Sequence, residues 1–178
     1  MILDLREFET FPAQKLLIGE PDKLILDYPD VNSVKAVEIN LRIQQAGEEY
    51  FCQGKVKATV DMECCRCLNG FDKEVESETD FIACAAKTQA EEATEIADDE
   101  DYVFFTGSDI QADVSDIVRQ AIILSLDLKP LCAEDCKGLC PQCGINFNEQ
   151  QCSCKTEKID PRWEALKNLS GQLTENKE

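Results

Sequence analysis

The chain has 178 residues with 36 acidic and 18 basic side chains, a net charge of −18, 11 cysteines and no histidine. Its length suits one ordinary domain, or a domain with a small appendage, and allows a buried core without crosslinks. The charge disfavours broad binding to a phosphate backbone and favours basic partners; the lack of histidine removes the commonest general base and the usual non-thiolate zinc ligand.

The first eight residues, Met-Ile-Leu-Asp-Leu-Arg-Glu-Phe, carry charges where a signal peptide needs an apolar run. No stretch approaches the length of a membrane span, so the chain is expected to be cytoplasmic and to make no membrane contact. Thiols stay reduced there, and clustered cysteines bind metal more often than they pair.

Residues 1 to about 35 are punctuated by Pro12, Gly19-Glu-Pro21 and Tyr28-Pro29-Asp30. Leu16 to Ile18 and Leu24 to Leu26 are apolar runs too short for helices, and read as buried strands. From Val37 the pattern sharpens. Val37, Ile39, Leu41 and Ile43 alternate with polar residues, then Ala46-Gly47-Glu48 turns the chain, and Cys52, Gly54, Val56, Ala58, Val60 and Met62 alternate in the same way. A third strand runs from about Phe71 to Ala83. Three strands with short turns predict an antiparallel meander. Cys52 lies on its apolar face and reads as core, and Cys84, with no cysteine neighbour, as structural.

The stretch from 85 to 101 is an acidic loop with almost nothing apolar. Tyr102 to Phe105 predicts a strand, Asp109 to Asp113 a short one, and 114 to 126 a helix capped by Asp113 or Ser115. That helix carries Val114, Ile117, Val118, Ala121, Ile122, Leu124 and Ser125 on one broad face, which is expected to cover the sheet. Asp160 and Pro161 open a terminal helix with Trp163, Leu166, Leu169 and Leu173 on one side.

Six of the cysteines fall between Cys132 and Cys154. Cys140-Pro-Gln-Cys143-Gly144 has the spacing of a zinc knuckle, in which two thiolates converge on one ion and the glycine allows the tight turn behind them. Cys152 and Cys154 are close enough to complete a four-thiolate site. Cys64 and Cys67, at a turn carrying Asn69-Gly70, have the same spacing but cannot close a tetrahedral site alone. Cys132 and Cys136 are left over from the C-terminal cluster. A second site of Cys64, Cys67, Cys132 and Cys136 is therefore expected, with Cys65 an alternative to Cys64. One or two structural Zn²⁺ ions follow.

There is no phosphate-binding glycine loop, no nucleophile elbow and no base for a cysteine nucleophile, so the chain is not expected to be an enzyme or to have a small-molecule substrate. The fold class is α+β. An antiparallel meander covered by a helix occupies residues 1–131, and a cysteine-rich zinc-binding segment with a terminal helix occupies 132–178.

Four segments together resemble the YceD family, the large ribosomal RNA subunit accumulation proteins. They are Glu63-Cys-Cys-Arg-Cys-Leu68, Asp113-Val-Ser-Asp-Ile-Val-Arg-Gln-Ala-Ile-Ile-Leu-Ser-Leu126, Asp135-Cys-Lys-Gly-Leu-Cys-Pro-Gln-Cys-Gly-Ile-Asn-Phe-Asn148 and Asp160-Pro-Arg-Trp163. The resemblance spans about residues 35 to 170. Asp127 stands where relatives tend to place proline, a departure that bears on the helix end. What the resemblance implies is a bacterial or plastid protein needed for accumulation of 23S ribosomal RNA and assembly of the large subunit; it implies neither catalysis nor a molecular mechanism.

The acidic surface adds an expectation of its own: a basic ribosomal or assembly protein as partner. Two rivals stand beside it. One is direct rRNA contact through the zinc region, where Arg66, Lys129, Lys137, Lys155, Lys158 and Arg162 cluster. The other is a thiol redox or metal-transfer protein.

Overall fold

The structure, a computed structural model, describes residues 1–86, 102–105 and 110–154. The chain divides into two compact units, Met1–Cys136 and a second that begins at Lys137.

The first unit is mostly sheet. Three long strands, β3 (Val31–Ala46), β4 (Glu49–Glu63) and β5 (Gly70–Ala85), form the expected antiparallel meander. Their alternation places Ile39 opposite Val56, Ile43 opposite Cys52 and Ala58 opposite Val75 on one face, while Lys55 and Lys57 pair with Glu78 and Glu76 on the other. Period-2 side chains make this division automatic. β2 (Ala13–Ile18) pairs antiparallel with β3, but it is not the buried strand expected there: alternation turns Leu16 and Ile18 away from the face of Leu17, and they are 52% and 77% exposed. β6 (Tyr102–Phe105) lies parallel to β5 and makes the five-stranded sheet mixed rather than wholly antiparallel. β1 (Ile2–Asp4) and β7 (Gln111–Asp113) form a separate two-stranded ribbon.

Two expectations near the N-terminus change. Leu24 to Leu26 is not a strand; it follows a 3-10 turn at Pro21–Lys23, yet Leu24 and Leu26 are still buried. β3 starts at Val31, not Val37, because register shifts between Val31 and Ser33 and between Val34 and Ala36 interrupt the alternation. A bulge of this kind leaves the strand intact but erases its period in the sequence.

The helix, α1 (Ser115–Ser125), buries Ile117, Val118, Ala121 and Ile122 against β5 and β4, whereas Leu124, expected on the same face, turns away from it and is 85% exposed. Each such side chain contributes roughly 1.5–3 kcal/mol by leaving water. Asp113 Oδ1 accepts from the Ser115 backbone N–H at 2.9 Å, so Asp113 satisfies a donor at the helix start. The helix ends before Asp127, whose carboxylate instead holds Lys73 of β5 at 2.9 Å. Most of the acidic loop (87–101), the turn at 106–109 and the terminal helix lie outside the described residues.

Gly54 on β4 is buried because β3 comes too close for a side chain: a Cβ there would stand 2.8 Å from Ile39 Cδ1 and 3.0 Å from Leu41 Cδ2. Gly54→Val is expected to lower stability by about 1–3 kcal/mol, read as a lower urea midpoint at unchanged slope.

Candidate metal centre

The β4–β5 hairpin carries its turn, Cys64 to Asn69, to one end of the sheet. After α1 the chain returns past this turn, and the Cys65 N–H donates to the Pro130 carbonyl at 2.9 Å. That contact brings Cys132 and Cys136 to the hairpin. Cys64 Sγ lies 3.8 Å from Cys136 Sγ, and Cys67 Sγ lies 3.6 Å from Cys132 Sγ. All four sulfurs fall within 4.8 Å of one another. Cys65 is exposed and stands outside the group. Arg66 donates through Nη1 to the Cys136 carbonyl at 3.0 Å, a second tie between the two segments.

In the second unit Cys140, Cys143, Cys152 and Cys154 converge to the same limit of 4.8 Å, with Cys140 and Cys152 sulfurs 3.6 Å apart. A tetrahedron of thiolates at a Zn–S distance of 2.3 Å has edges of about 3.8 Å. Both groups therefore have the donor number, donor type and spacing that such an ion requires. A disulfide needs about 2.05 Å, well short of these sulfur separations.

The two knuckles repeat one backbone pattern. Cys64 N–H donates to Asn69 O and Leu68 N–H to Cys64 O; Cys140 N–H donates to Ile145 O and Gly144 N–H to Cys140 O. The turn demands a positive φ at the residue after the second cysteine, 73° at Gly144 and 58° at Leu68. Glycine adopts that conformation freely, whereas a residue with a side chain gives up about 1–2 kcal/mol. Leu68 meets that cost while 56% exposed, with little burial to offset it.

The same turns aim N–H groups at sulfur. Burial by itself would push the Cys64 thiol up, but N–H groups of Cys132, Cys67 and Arg66 outweigh it and bring Cys64 down to about 6. N–H groups of Cys143 and Gln142 likewise bring Cys140 down to about 6. Two other sulfurs of each group are shifted the opposite way. Cys67 accepts an N–H from Asn69, which favours its thiolate, yet burial and Cys64 raise it overall. Hydrogen bonding to Cys67 pushes Cys132 up to about 12, and hydrogen bonding to Cys143 does the same for Cys154. Each group thus sets one sulfur lowered toward the thiolate beside two raised toward the thiol, Cys67 and Cys132 in the first and Cys152 and Cys154 in the second. Cys52, by contrast, is driven up to about 12 by burial alone and sits in the core as expected.

The profile of a family described as large ribosomal RNA subunit accumulation protein YceD matches residues 52–170. The chain belongs to the YceD family. Relatives of this YceD chain include an uncharacterized protein of Mycobacterium tuberculosis, 29% identical over 154 residues that cover 86% of this chain and 72% of the relative. Another is the Arabidopsis thaliana protein named large ribosomal RNA subunit accumulation protein YCED homolog 1, chloroplastic. It is 22% identical over 172 residues, covering 85% of this chain and 53% of that relative. No solved structure matches significantly.

Both cysteine groups lie within the part of the chain that carries the YceD match. Of the basic residues expected near them, Arg66 is held by the Cys136 carbonyl, Lys129 and Lys137 are exposed, and Lys155, Lys158 and Arg162 lie outside the described residues. Two features escaped the reading of the sequence. Leu68 occupies a glycine position, which superposing the two Cys-x-x-Cys segments would have exposed. The Arg66 tie has no sequence signal, since it joins residues 70 positions apart.

Two outcomes follow. Zinc loading near pH 7 should release two or more protons per ion, because at least two thiols of each group are held protonated in the free site; affinity therefore rises with pH. Calorimetry in buffers of different ionisation enthalpy measures this, and release of less than one proton per ion contradicts it. Leu68→Gly should leave the urea midpoint unchanged or raise stability by up to about 1 kcal/mol, while Leu68→Val, β-branched at positive φ, should lower it.

Proposed function

We propose that the chain is a non-catalytic, zinc-stabilised factor in large-subunit assembly, and that it acts by holding a basic ribosomal or assembly protein. Cys64, Cys67, Cys132 and Cys136 bind one structural Zn²⁺, and Cys140, Cys143, Cys152 and Cys154 a second. Family membership supports the ribosomal setting. The observation that carries the choice of partner is charge: the chain stands at −18 before metal, and each four-thiolate zinc site adds about −2. Such a surface steers cationic proteins toward it and repels rRNA. Basic ribosomal proteins bind RNA without order and aggregate when alone, so an acidic holder that releases them to rRNA serves assembly. The work is done where large subunits are built, in the cytoplasm of a bacterium.

Direct rRNA contact through the zinc region is the weaker reading, because a chain at −18 repels a phosphate backbone and few basic residues stand against that charge. The deciding experiment mixes the zinc-loaded chain with purified basic large-subunit proteins, and separately with 23S rRNA fragments, at moderate salt. A stoichiometric complex with one of those proteins and none with RNA is expected. Salt-dependent rRNA binding with no protein complex contradicts it.

Cys136→Ser should lower bound zinc from two ions to one and destabilise the first unit by at least about 3 kcal/mol, since it removes a ligand that joins distant segments. Unchanged zinc content would exclude Cys136 as a ligand.

A further inference from the structure

The two cysteine groups differ in how they are enclosed. In the first, Cys64, Cys67 and Cys136 are only 0%, 3% and 4% exposed, and Cys132 alone of the four is exposed. Cys64 and Cys136 are 72 residues apart and come from a hairpin turn and a post-helix segment that are also tied at Cys65 to Pro130 and at Arg66 to Cys136. To open this group, the hairpin must part from that segment. The motion breaks buried contacts and disturbs the end of the sheet, so it is a sub-global event.

In the second group only Cys140 is buried; Cys152 is half-buried, and Cys143 and Cys154 are exposed. The sulfurs joined across it belong to residues only 12 apart. Local bonds hold its loop: Cys140 to Ile145, Gly144 to Cys140 and Phe147 to Gly138, with the Lys137 N–H on Asn148 Oδ1. Opening it requires local fraying alone. A competing donor can approach at the exposed Cys143 and Cys154.

We propose that the second group is an exchange site for zinc, while the first keeps its ion for as long as the fold persists. This rests on the reading that both groups bind zinc. Exchange needs no redox partner: each thiolate that lets go is replaced at the ion by a donor of the competitor, and takes up a proton from water. The unit beginning at Lys137 thereby becomes conditional on zinc supply, whereas the sheet unit does not.

The full chain, loaded with two zinc ions, is treated with excess 4-(2-pyridylazo)resorcinol, and release is followed by absorbance. One ion should leave in a fast phase and the other at least about tenfold more slowly, as expected when one opening is local and the other sub-global. Iodoacetamide added after the fast phase, with mass mapping, locates the emptied site without any substitution. Cys140, Cys143, Cys152 and Cys154 should be labelled, with Cys64, Cys67 and Cys136 protected; exposed Cys65 should react from the start. Cys143→Ser should abolish the fast phase and leave one slowly released ion. Release of both ions in a single phase, or early labelling of Cys64, Cys67 and Cys136, overturns the exchange assignment alone. A chain that takes up no zinc overturns the metal reading with it.

Discussion

The meeting of Cys64 and Cys67 with Cys132 and Cys136 is the constraint on which the first unit turns. The hairpin alone presents two sulfurs and the segment after α1 presents two more, and neither pair completes a tetrahedron. Their convergence depends on β4 and β5 running long enough to carry the turn to the sheet end, and on α1 ending at Ser125 so that the chain can pass the turn. The sheet, the helix end and the thiols are thus parts of one arrangement. Removing any one of them separates sulfurs that lie far apart in sequence.

Two knuckles of one design sit in different surroundings in this chain. Both place N–H groups around the first sulfur and both demand a left-handed residue behind the second. One is built into a core, the other into a short loop. Burial, not ligand chemistry, separates them, because all eight candidate donors are thiols. With no histidine in the chain, there is no mixed site to weigh against an all-sulfur one. The negative charge this concentrates on an already acidic molecule is what ties the metal reading to the partner reading.

Where side chains alternate without interruption, the sequence was a sound guide to the fold. Val37 to Ile43 and Cys52 to Met62 took the faces their period assigns. The pairing of distant cysteines could be inferred because one compact site uses four of six clustered residues and leaves two. Other features follow from interactions the sequence does not record. The shifts around Ser33 and Lys35 hide the first third of β3. A three-residue strand such as β1 has no period to detect, and its pairing with β7 spans more than a hundred residues. Leu24 and Leu26 are buried by packing without a ladder, which an apolar run alone cannot reveal. The direction of β6 depends on a connection whose path no local pattern encodes.

The most direct measurement is zinc-edge X-ray absorption on the purified, reduced, metal-loaded chain, together with its metal content. Two zinc ions per chain, each with four sulfur neighbours at about 2.3 Å and no nitrogen or oxygen neighbour, is the predicted result. A first shell containing nitrogen or oxygen, or a folded chain that carries no zinc, would contradict the account.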